Sequence, residues 1–235
     1  MAQFHFIEDY EKHVADLIEK YPIDEAMSLA VGGLYQEVGL IEIGALRYAG
    51  LKDGMSLIDL GCGSGRLASV LGRSLNIEYT GIDVVQSLLD YAKTKSPGSY
   101  RFLLHRALSV PAADNSSDFL CAFSVFTHLL HAETYIYLKD IRRTLKPGGK
   151  LVFSFLEFAS DLHWHVFEAT VDAHRLHPNP LLNTFIERPV IDIWCGKLGY
   201  ELEGYISGNE APWNGKPLGQ SVVLLRKPDH RSLKS

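Results

Sequence analysis

The sequence predicts an α/β protein whose centre is a doubly wound, mostly parallel sheet. An apolar strand at residues 56–60 runs into a loop with three glycines, and helical spacing resumes directly after it. Strand patterns then alternate with amphipathic helices, the order that builds a parallel sheet with right-handed crossovers. The length of 235 residues suits one such domain with additions.

Two helices are expected before the first strand. The first places its apolar residues on one face from Ile7 to Tyr21 and stops at Pro22. The second begins near Leu34 and ends at Gly50. Residues 1–49 are too few for a core of their own, so we expect a helical cap packed on the sheet.

The remaining strands are expected at 77–83, 100–105, 119–124, 151–155, 200–206 and 221–225. The Lys-Pro-Gly-Gly turn at 146–149 should end the helix that precedes the fifth strand. Residues 158–187 do not fit a simple crossover, and they predict an inserted helix and a Pro-Asn-Pro loop at 178–180. The expected division is therefore a cap (1–49), a core (50–157), an insertion (158–187) and a C-terminal part (188–235).

The glycine loop at 61–65 lies between two acids, Asp59 and Asp83, that each end a strand. Glycines allow a ligand to approach the backbone closely, and the N–H groups of the following helix point towards it. The third glycine comes one position earlier than in the dinucleotide fingerprint, and Asp59 would repel a pyrophosphate. Asp83 follows the loop by about twenty residues, where a carboxylate takes ribose hydroxyls. A nucleoside-type cofactor with positive charge fits this pattern.

The segments D-L-G-C-G-S-G (59–65), G-I-D (81–83) and L-K-P-G-G-K-L (145–151) resemble the class I S-adenosylmethionine-dependent methyltransferase family, over roughly residues 56–155. The resemblance implies a seven-stranded sheet with an antiparallel last strand, and S-adenosyl-L-methionine as the methyl donor. It places the glycines around the methionine half, Asp83 at the ribose and Val84 along the adenine. The residues expected to hold the cofactor are Asp59, Gly61, Cys62, Gly63, Gly65, Asp83, Val84, Ala107, Leu108, Ser124 and Val125.

One position departs from that family. Arg106 stands where many relatives carry an acid near the adenine amino group, and a guanidinium can only donate. The backbone at Ala107 and Leu108 is therefore expected to serve the adenine instead.

His128 follows the fourth strand, where reacting groups collect in open α/β sheets, and is the candidate general base. The interpretation that the sequence favours is a histidine bonded to loop backbone that shapes the pocket. Glu157, just past the fifth strand, is expected to be a solvated loop acid. Of the histidines in the insertion, only His174 and His177 are spaced to share an ion, and no metal is predicted.

The net charge of −5 and the pI near 6.0 disfavour a nucleic-acid partner. No signal-peptide pattern or apolar run near twenty residues is seen, so a cytoplasmic protein without membrane association is expected, and its oligomeric state stays open. Three distant cysteines predict reduced thiols.

The leading interpretation is methyl transfer to oxygen or nitrogen of a small molecule. The alternatives are a nicotinamide-dependent oxidoreductase and a non-catalytic module that binds S-adenosylmethionine. We further expect the cap and the insertion to roof the acceptor pocket through aromatic side chains and the insertion's histidines; the aromatic residues are Phe4, Phe6, Tyr35 and Trp164.

Overall fold

The computed structural model describes residues 7–176 and 181–229. Its sheet has seven strands, in the spatial order β3-β2-β1-β4-β5-β7-β6. The strands are β1 (Ser56–Leu60), β2 (Glu78–Asp83), β3 (Arg101–Leu104), β4 (Ser117–Ala122), β5 (Leu145–Phe155), β6 (Glu201–Ile206) and β7 (Ser221–Arg226). Strand β7 pairs antiparallel with both neighbours, and the other pairings are parallel. The predicted fold class is confirmed.

Eight α-helices lie among the described residues. They are α1 (Ile7–Lys20), α2 (Ile23–Leu29), α3 (Tyr35–Tyr48), α4 (Arg66–Leu71), α5 (Gln86–Lys95), α6 (His131–Thr144), α7 (Asp161–Leu176) and α8 (Arg188–Leu198). A single 3₁₀ turn at Phe126–His128 follows β4. Helix α7 is the predicted helical addition after β5.

The central strands are apolar on both faces because both faces are covered. In β4, Leu120 and Ala122 belong to one core cluster, whereas Phe119 and Cys121 belong to the other. Such two-sided burial explains why this strand reads as a continuous apolar run. Helices α3 and α4 contribute to one cluster, and α6 and α8 contribute to the other.

Helices α1 and α2 form a third, smaller cluster with α5, built from Val14, Met27, Ala30, Val85 and Leu88. Helix α2 is absent from the sequence prediction. It has seven residues and no side-chain cap, so its local signal is weak. Pro22 nevertheless ends α1 and also accepts the first hydrogen bond of α2, from the Ala26 N–H.

Strand β5 begins at Leu145, six residues earlier than expected. The predicted start is wrong because Leu145 already pairs with Ser117, and the next pair joins Phe119 to Lys150. Residues 146–149 therefore form a bulge within the strand. Gly149 allows its closure, since a Cβ there would lie 2.9–3.1 Å from three carbonyl oxygens.

Candidate functional site

A cavity of about 420 Å³ opens at the carboxyl ends of β1, β2 and β4. This is where ligands bind in open α/β sheets, and the volume suits a small molecule. Among the expected cofactor residues, those that line it are Asp59, Gly61, Cys62, Gly63, Asp83, Val84, Ser124 and Val125. His128 also lines it.

The glycine turn has the left-handed backbone that its sequence predicts. Gly61 (φ 71°), Gly63 (φ 53°) and Gly65 (φ 82°) all have positive φ. A Cβ on Gly61 would collide with Val125, and one on Gly63 would lie 2.6 Å from the Val31 side chain. Gly65 does not line the cavity; it begins α4 and allows α4 to approach Ala92 of α5. Two of the three glycines thus shape the cavity, and the third shapes the helix packing.

Asp83 organises the loop through its carboxylate. One oxygen accepts the Gly63 N–H at 2.8 Å, and the other accepts those of Val84 (2.8 Å) and Val85 (3.0 Å). Burial raises the pKa of Asp83, and these three backbone donors oppose that rise. A carboxylate offers about four acceptor sites, so roughly one stays available to a ligand.

Asp59 is a buried acid at the end of β1. The Tyr79 hydroxyl donates to it at 2.6 Å, and the Cys121 thiol donates to its other oxygen at 3.4 Å. Burial raises the pKa of Asp59 to about 7; the Tyr79 bond opposes the rise, and the nearby carboxyl of Glu42 adds to it. A cation in the cavity would favour the charged form of this group.

An ion pair that the sequence analysis missed also lines the cavity. Glu42 of α3, only 2% exposed, holds Arg66 through Nε at 2.8 Å and Nη2 at 2.6 Å. Arg66 Nη1 also donates to the Val31 carbonyl at 2.6 Å. One sequence signal could have revealed this pair: Glu42 is a charged residue on a helix face that is otherwise formed by the apolar residues Val38 and Ala45. Burial raises the pKa of Glu42, and Arg66 opposes this.

The described lining is acidic overall. It contains three carboxyl side chains (Glu42, Asp59 and Asp83) against one lysine or arginine, Arg66. With all four charged, the formal sum is −2. A cationic ligand is therefore favoured over one that carries a pyrophosphate.

Only some of the residues expected to contact the adenine line the cavity. Val84 lines the cavity together with His105, but Ala107 and Leu108 are not among the lining residues. Leu108 packs against the core, and the Ala107 carbonyl accepts the Tyr137 hydroxyl at 3.3 Å. Arg106 donates to the Val84 carbonyl at 3.1 Å and pairs with Glu11, which ties α1 to this edge.

His128 is held by backbone, as the pocket-shaping interpretation requires. Its Nδ1 lies 2.7 Å from the Leu182 carbonyl, so Nδ1 carries the proton and donates it. Burial lowers the pKa of His128, which keeps the ring neutral and leaves Nε2 as an acceptor. The Thr184 N–H also donates to the Thr127 carbonyl at 2.7 Å. The segment after α7 is thereby fastened to the loop after β4.

Within 158–187, the described lining residues are Leu181 and Leu182. Trp164 is 43% exposed and packs on Phe167, outside the lining. His163 is fully buried and accepts the Glu157 N–H at 3.1 Å, again outside the lining. These placements differ from the expected aromatic and histidine roof. Phe4, Phe6, His177 and the loop at 178–180 lie outside the described residues.

The prediction of a solvated Glu157 is wrong. Its side chain is buried, pairs with Arg188 through two bonds of 2.9 Å, and accepts the Ser221 hydroxyl at 2.5 Å. These donors hold its pKa below the usual range despite burial. Glu157 therefore joins the end of β5 to α8 and β7.

Comparison with known proteins adds to this geometry. Residues 58–153 match the family model described as a methyltransferase domain. O-methyltransferase resE of Aspergillus sclerotiorum is 26% identical over 166 residues, covering 68% of this chain and 59% of that protein. Residues 58–153 therefore carry a methyltransferase domain, and the chain is similar to methyltransferases over this region. The methyltransferase domain implies S-adenosyl-L-methionine as the cofactor.

Solved structures support the fold of this chain. A putative methyltransferase in complex with the Haloferax volcanii Trm112 methyltransferase activator superposes with a TM-score of 0.66 at 17% identity, covering 94% of this chain and 98% of that one. The magnesium protoporphyrin IX methyltransferase of Synechocystis PCC 6803, solved with bound S-adenosylhomocysteine, gives 0.62 at 15% identity and 86% of each chain.

The chain spans 59%, 47% and 30% of the length of the first three curated relatives it matches. Across residues 7–176 and 181–229, no helix is both long and apolar enough to cross a membrane. The same residues contain no group of three or more histidine, cysteine or acidic side chains that could hold a metal ion.

Proposed function

We propose that this protein transfers a methyl group from S-adenosylmethionine to an oxygen atom of a small, uncharged molecule. The observation that carries the proposal is the acidic cavity around the left-handed glycine turn. S-adenosylmethionine has a sulfonium, an ammonium and a carboxylate, so its net charge of about +1 complements a lining with three carboxyl side chains and one arginine. A dinucleotide would place its pyrophosphate beside Asp59 and Asp83, which disfavours the nicotinamide alternative.

The donor would lie along β1 and β2. Asp83 retains acceptor capacity for the ribose hydroxyls, and Val84 offers an apolar surface for the adenine. The methionine half would follow the turn at Gly61 and Gly63, with its positive charges near Asp59. When bound, the cofactor would supply a methyl group activated by its sulfonium. The sulfur would keep the C–S electron pair as the acceptor oxygen forms the new C–O bond.

The remaining part of the cavity, near β4 and the segment after α7, would hold the acceptor. Its walls are mostly apolar, with Phe123, Val125, Leu129, Leu181 and Leu182 among them. No lysine or arginine other than Arg66 is found in the described lining, and Glu42 already neutralises that one. A carboxylate or phosphate on the acceptor would have no counter-charge, so an uncharged acceptor is favoured. The name of the relative O-methyltransferase resE supports oxygen as the methylated atom.

His128 would accept the proton that the acceptor hydroxyl loses. Its Nδ1–H is committed to the Leu182 carbonyl, so the lone pair is on Nε2, and the neutral ring can act as a base. The chain otherwise contributes alignment and exclusion of water, through the α1 residues Ile7 and Tyr10 and through Leu181 and Leu182.

Titration calorimetry with S-adenosylhomocysteine and NAD tests the cofactor, and transfer of labelled methyl groups to a panel of phenols and alcohols tests the reaction. We expect S-adenosylhomocysteine to bind, NAD not to bind, and label to appear in hydroxylated acceptors. NAD binding without S-adenosylhomocysteine binding would favour the oxidoreductase. Tight S-adenosylhomocysteine binding without transfer to any acceptor would favour the non-catalytic module.

A further inference from the structure

Gln220, the residue before β7, reaches the cavity wall beside the end of β4. Its Oε1 accepts two hydroxyl groups, from Ser154 at 2.6 Å and from Ser124 at 3.2 Å. The Ser124 backbone N–H in turn donates to the Ser154 hydroxyl oxygen at 2.7 Å. These three side chains form a short network across β4, β5 and β7.

The network determines which end of the Gln220 amide is occupied. The Ser154 and Ser124 hydroxyls both donate to Oε1, the acceptor atom of the amide. The amide oxygen therefore faces the serines, and Nε2 is left with two protons to donate. Nε2 donates to no group among residues 7–176 and 181–229. An amide fixed at its oxygen presents these donors to whatever fills the cavity.

The backbone of Ser124, which belongs to this network, is strained. Four non-glycine residues of the described chain have positive φ, and Ser124 (φ 57°) is the one that lines the cavity. A residue with a Cβ adopts this conformation at a cost, and such costs concentrate at ligand sites. Here the strained backbone directs the Ser124 N–H to Ser154 and its hydroxyl to Gln220.

We propose that Gln220 is a specificity-determining residue whose amide N–H groups bind an ether or carbonyl oxygen beside the reacting hydroxyl of the acceptor. This inference rests on the proposed function, which assigns the β1 and β2 end of the cavity to the methyl donor. An uncharged oxygen fits better than a carboxylate, because the described lining has no arginine or lysine beside Gln220 at this end and Arg66 is paired with Glu42.

Two isosteric phenols test the proposal. In 2-methoxyphenol an ether oxygen stands beside the hydroxyl, whereas 2-ethylphenol has a methylene in its place. We expect the wild-type protein, saturated with S-adenosylhomocysteine, to bind 2-methoxyphenol at least about tenfold more tightly, because the analogue leaves the amide protons unpaired. Gln220→Leu, which keeps the approximate volume but cannot donate, should bind both phenols within about twofold of each other.

Matched variants show whether the effect belongs to this network. Gln36 is exposed on α3 and outside the cavity lining, so Gln36→Leu should keep the wild-type preference. Ser154→Ala removes one of the two hydroxyls that fix Gln220, and the preference should fall at least threefold, about 0.65 kcal/mol. The Kd for S-adenosylhomocysteine should stay within about twofold of wild type in every variant, which also shows that each is folded.

The outcomes separate the two proposals. Failure of the wild type to bind S-adenosylhomocysteine would remove the proposed function itself. If S-adenosylhomocysteine binds, the role of Gln220 is overturned when wild type binds neither phenol, binds both equally, or keeps its preference after Gln220→Leu. Should Gln220→Leu not fold, an unchanged preference in Ser154→Ala overturns it instead.

Discussion

The buried carboxyl of Asp59 makes a sharp prediction about how cofactor binding depends on pH. Burial raises its pKa to about 7 in the ligand-free protein, so the group is about half neutral at pH 7. A bound sulfonium and ammonium favour the charged carboxylate and lower its pKa. Binding should therefore release protons near pH 7, and affinity should rise as the pH increases through this value.

The magnitude follows from the starting pKa. An opposite charge within a few ångströms lowers a carboxyl pKa by roughly 1–3 units. Linkage then makes binding about five- to tenfold tighter at pH 8 than at pH 6. This ratio of affinities cannot exceed about ten. It is limited by the change between pH 6 and pH 8 in the deprotonated fraction of a single group whose pKa in the free protein is about 7.

Calorimetric titration with S-adenosylmethionine at pH 6, 7 and 8, in buffers of different ionisation enthalpy, measures both the affinity and the protons released. Asp59→Asn is the essential control, because it removes this carboxyl and leaves the other side chains that line the cavity unchanged. We expect the variant to lose most of the pH dependence. A flat profile in the wild type, or an unchanged slope in Asp59→Asn, would refute the reasoning.

The same carboxyl predicts a change in stability. Its folded-state pKa is raised from 3.8 to about 7, so the folded protein binds this proton more tightly than the unfolded chain. The stability that this confers is complete below pH 3.8 and is lost as the pH rises towards 7. Asp59→Asn should therefore raise the Tm of the ligand-free protein by at least about 2 °C at pH 8, and by less at pH 5. An equal shift at both pH values would contradict this, and differential scanning calorimetry measures it.

Three further predictions concern the other parts of the cavity. Asp83→Ala should weaken S-adenosylhomocysteine binding at least about tenfold, because charge-assisted hydrogen bonds worth roughly 1.5–3 kcal/mol are lost; an unchanged Kd in a folded variant would exclude the ribose role. His128→Asn, whose amide nitrogen matches the position of Nδ1, can still donate to the Leu182 carbonyl but cannot take a proton, so turnover should fall about 10²–10⁴-fold while S-adenosylhomocysteine still binds; parallel, modest losses of both would favour a purely pocket-shaping role. Hydrogen exchange should slow in 7–32 and 181–187 when S-adenosylhomocysteine and an acceptor bind; protection confined to 61–83 would identify these segments as scaffold.

The part of the cavity that we assign to the methyl donor was accessible from the sequence because its signals are local. Asp59, the glycines at 61–65 and Asp83 lie within 25 residues, and each follows or ends an apolar strand. Strand periodicity places both acids at one edge of the sheet, and the positive φ values explain why glycine stands in the turn.

The rest of the site depends on contacts between distant residues. Gln220 meets Ser124 across 96 positions, and Glu42 meets Arg66 across 24. No local pattern shows which loop residue will face the end of β4, because the packing of β7 between β5 and β6 decides it. Trp164 lies outside the cavity lining for a similar reason. Its helix packs against aromatic residues such as Phe158 and Phe185, and these also lie outside the lining.

The two halves of the cavity are stabilised in different ways, and this bears on how they can change. The donor half is formed largely by backbone: the Asp83 carboxylate receives three main-chain N–H groups, and Tyr35 donates to the Ser64 carbonyl at 2.8 Å. Substitution there disturbs the turn and the start of α5 together. The half assigned to the acceptor is formed by side chains such as Leu181, Leu182 and Gln220, which lie outside the strands. Under the proposed function, a change of acceptor requires substitutions only at the β4 and β7 end, and the end assigned to the donor keeps its cofactor contacts.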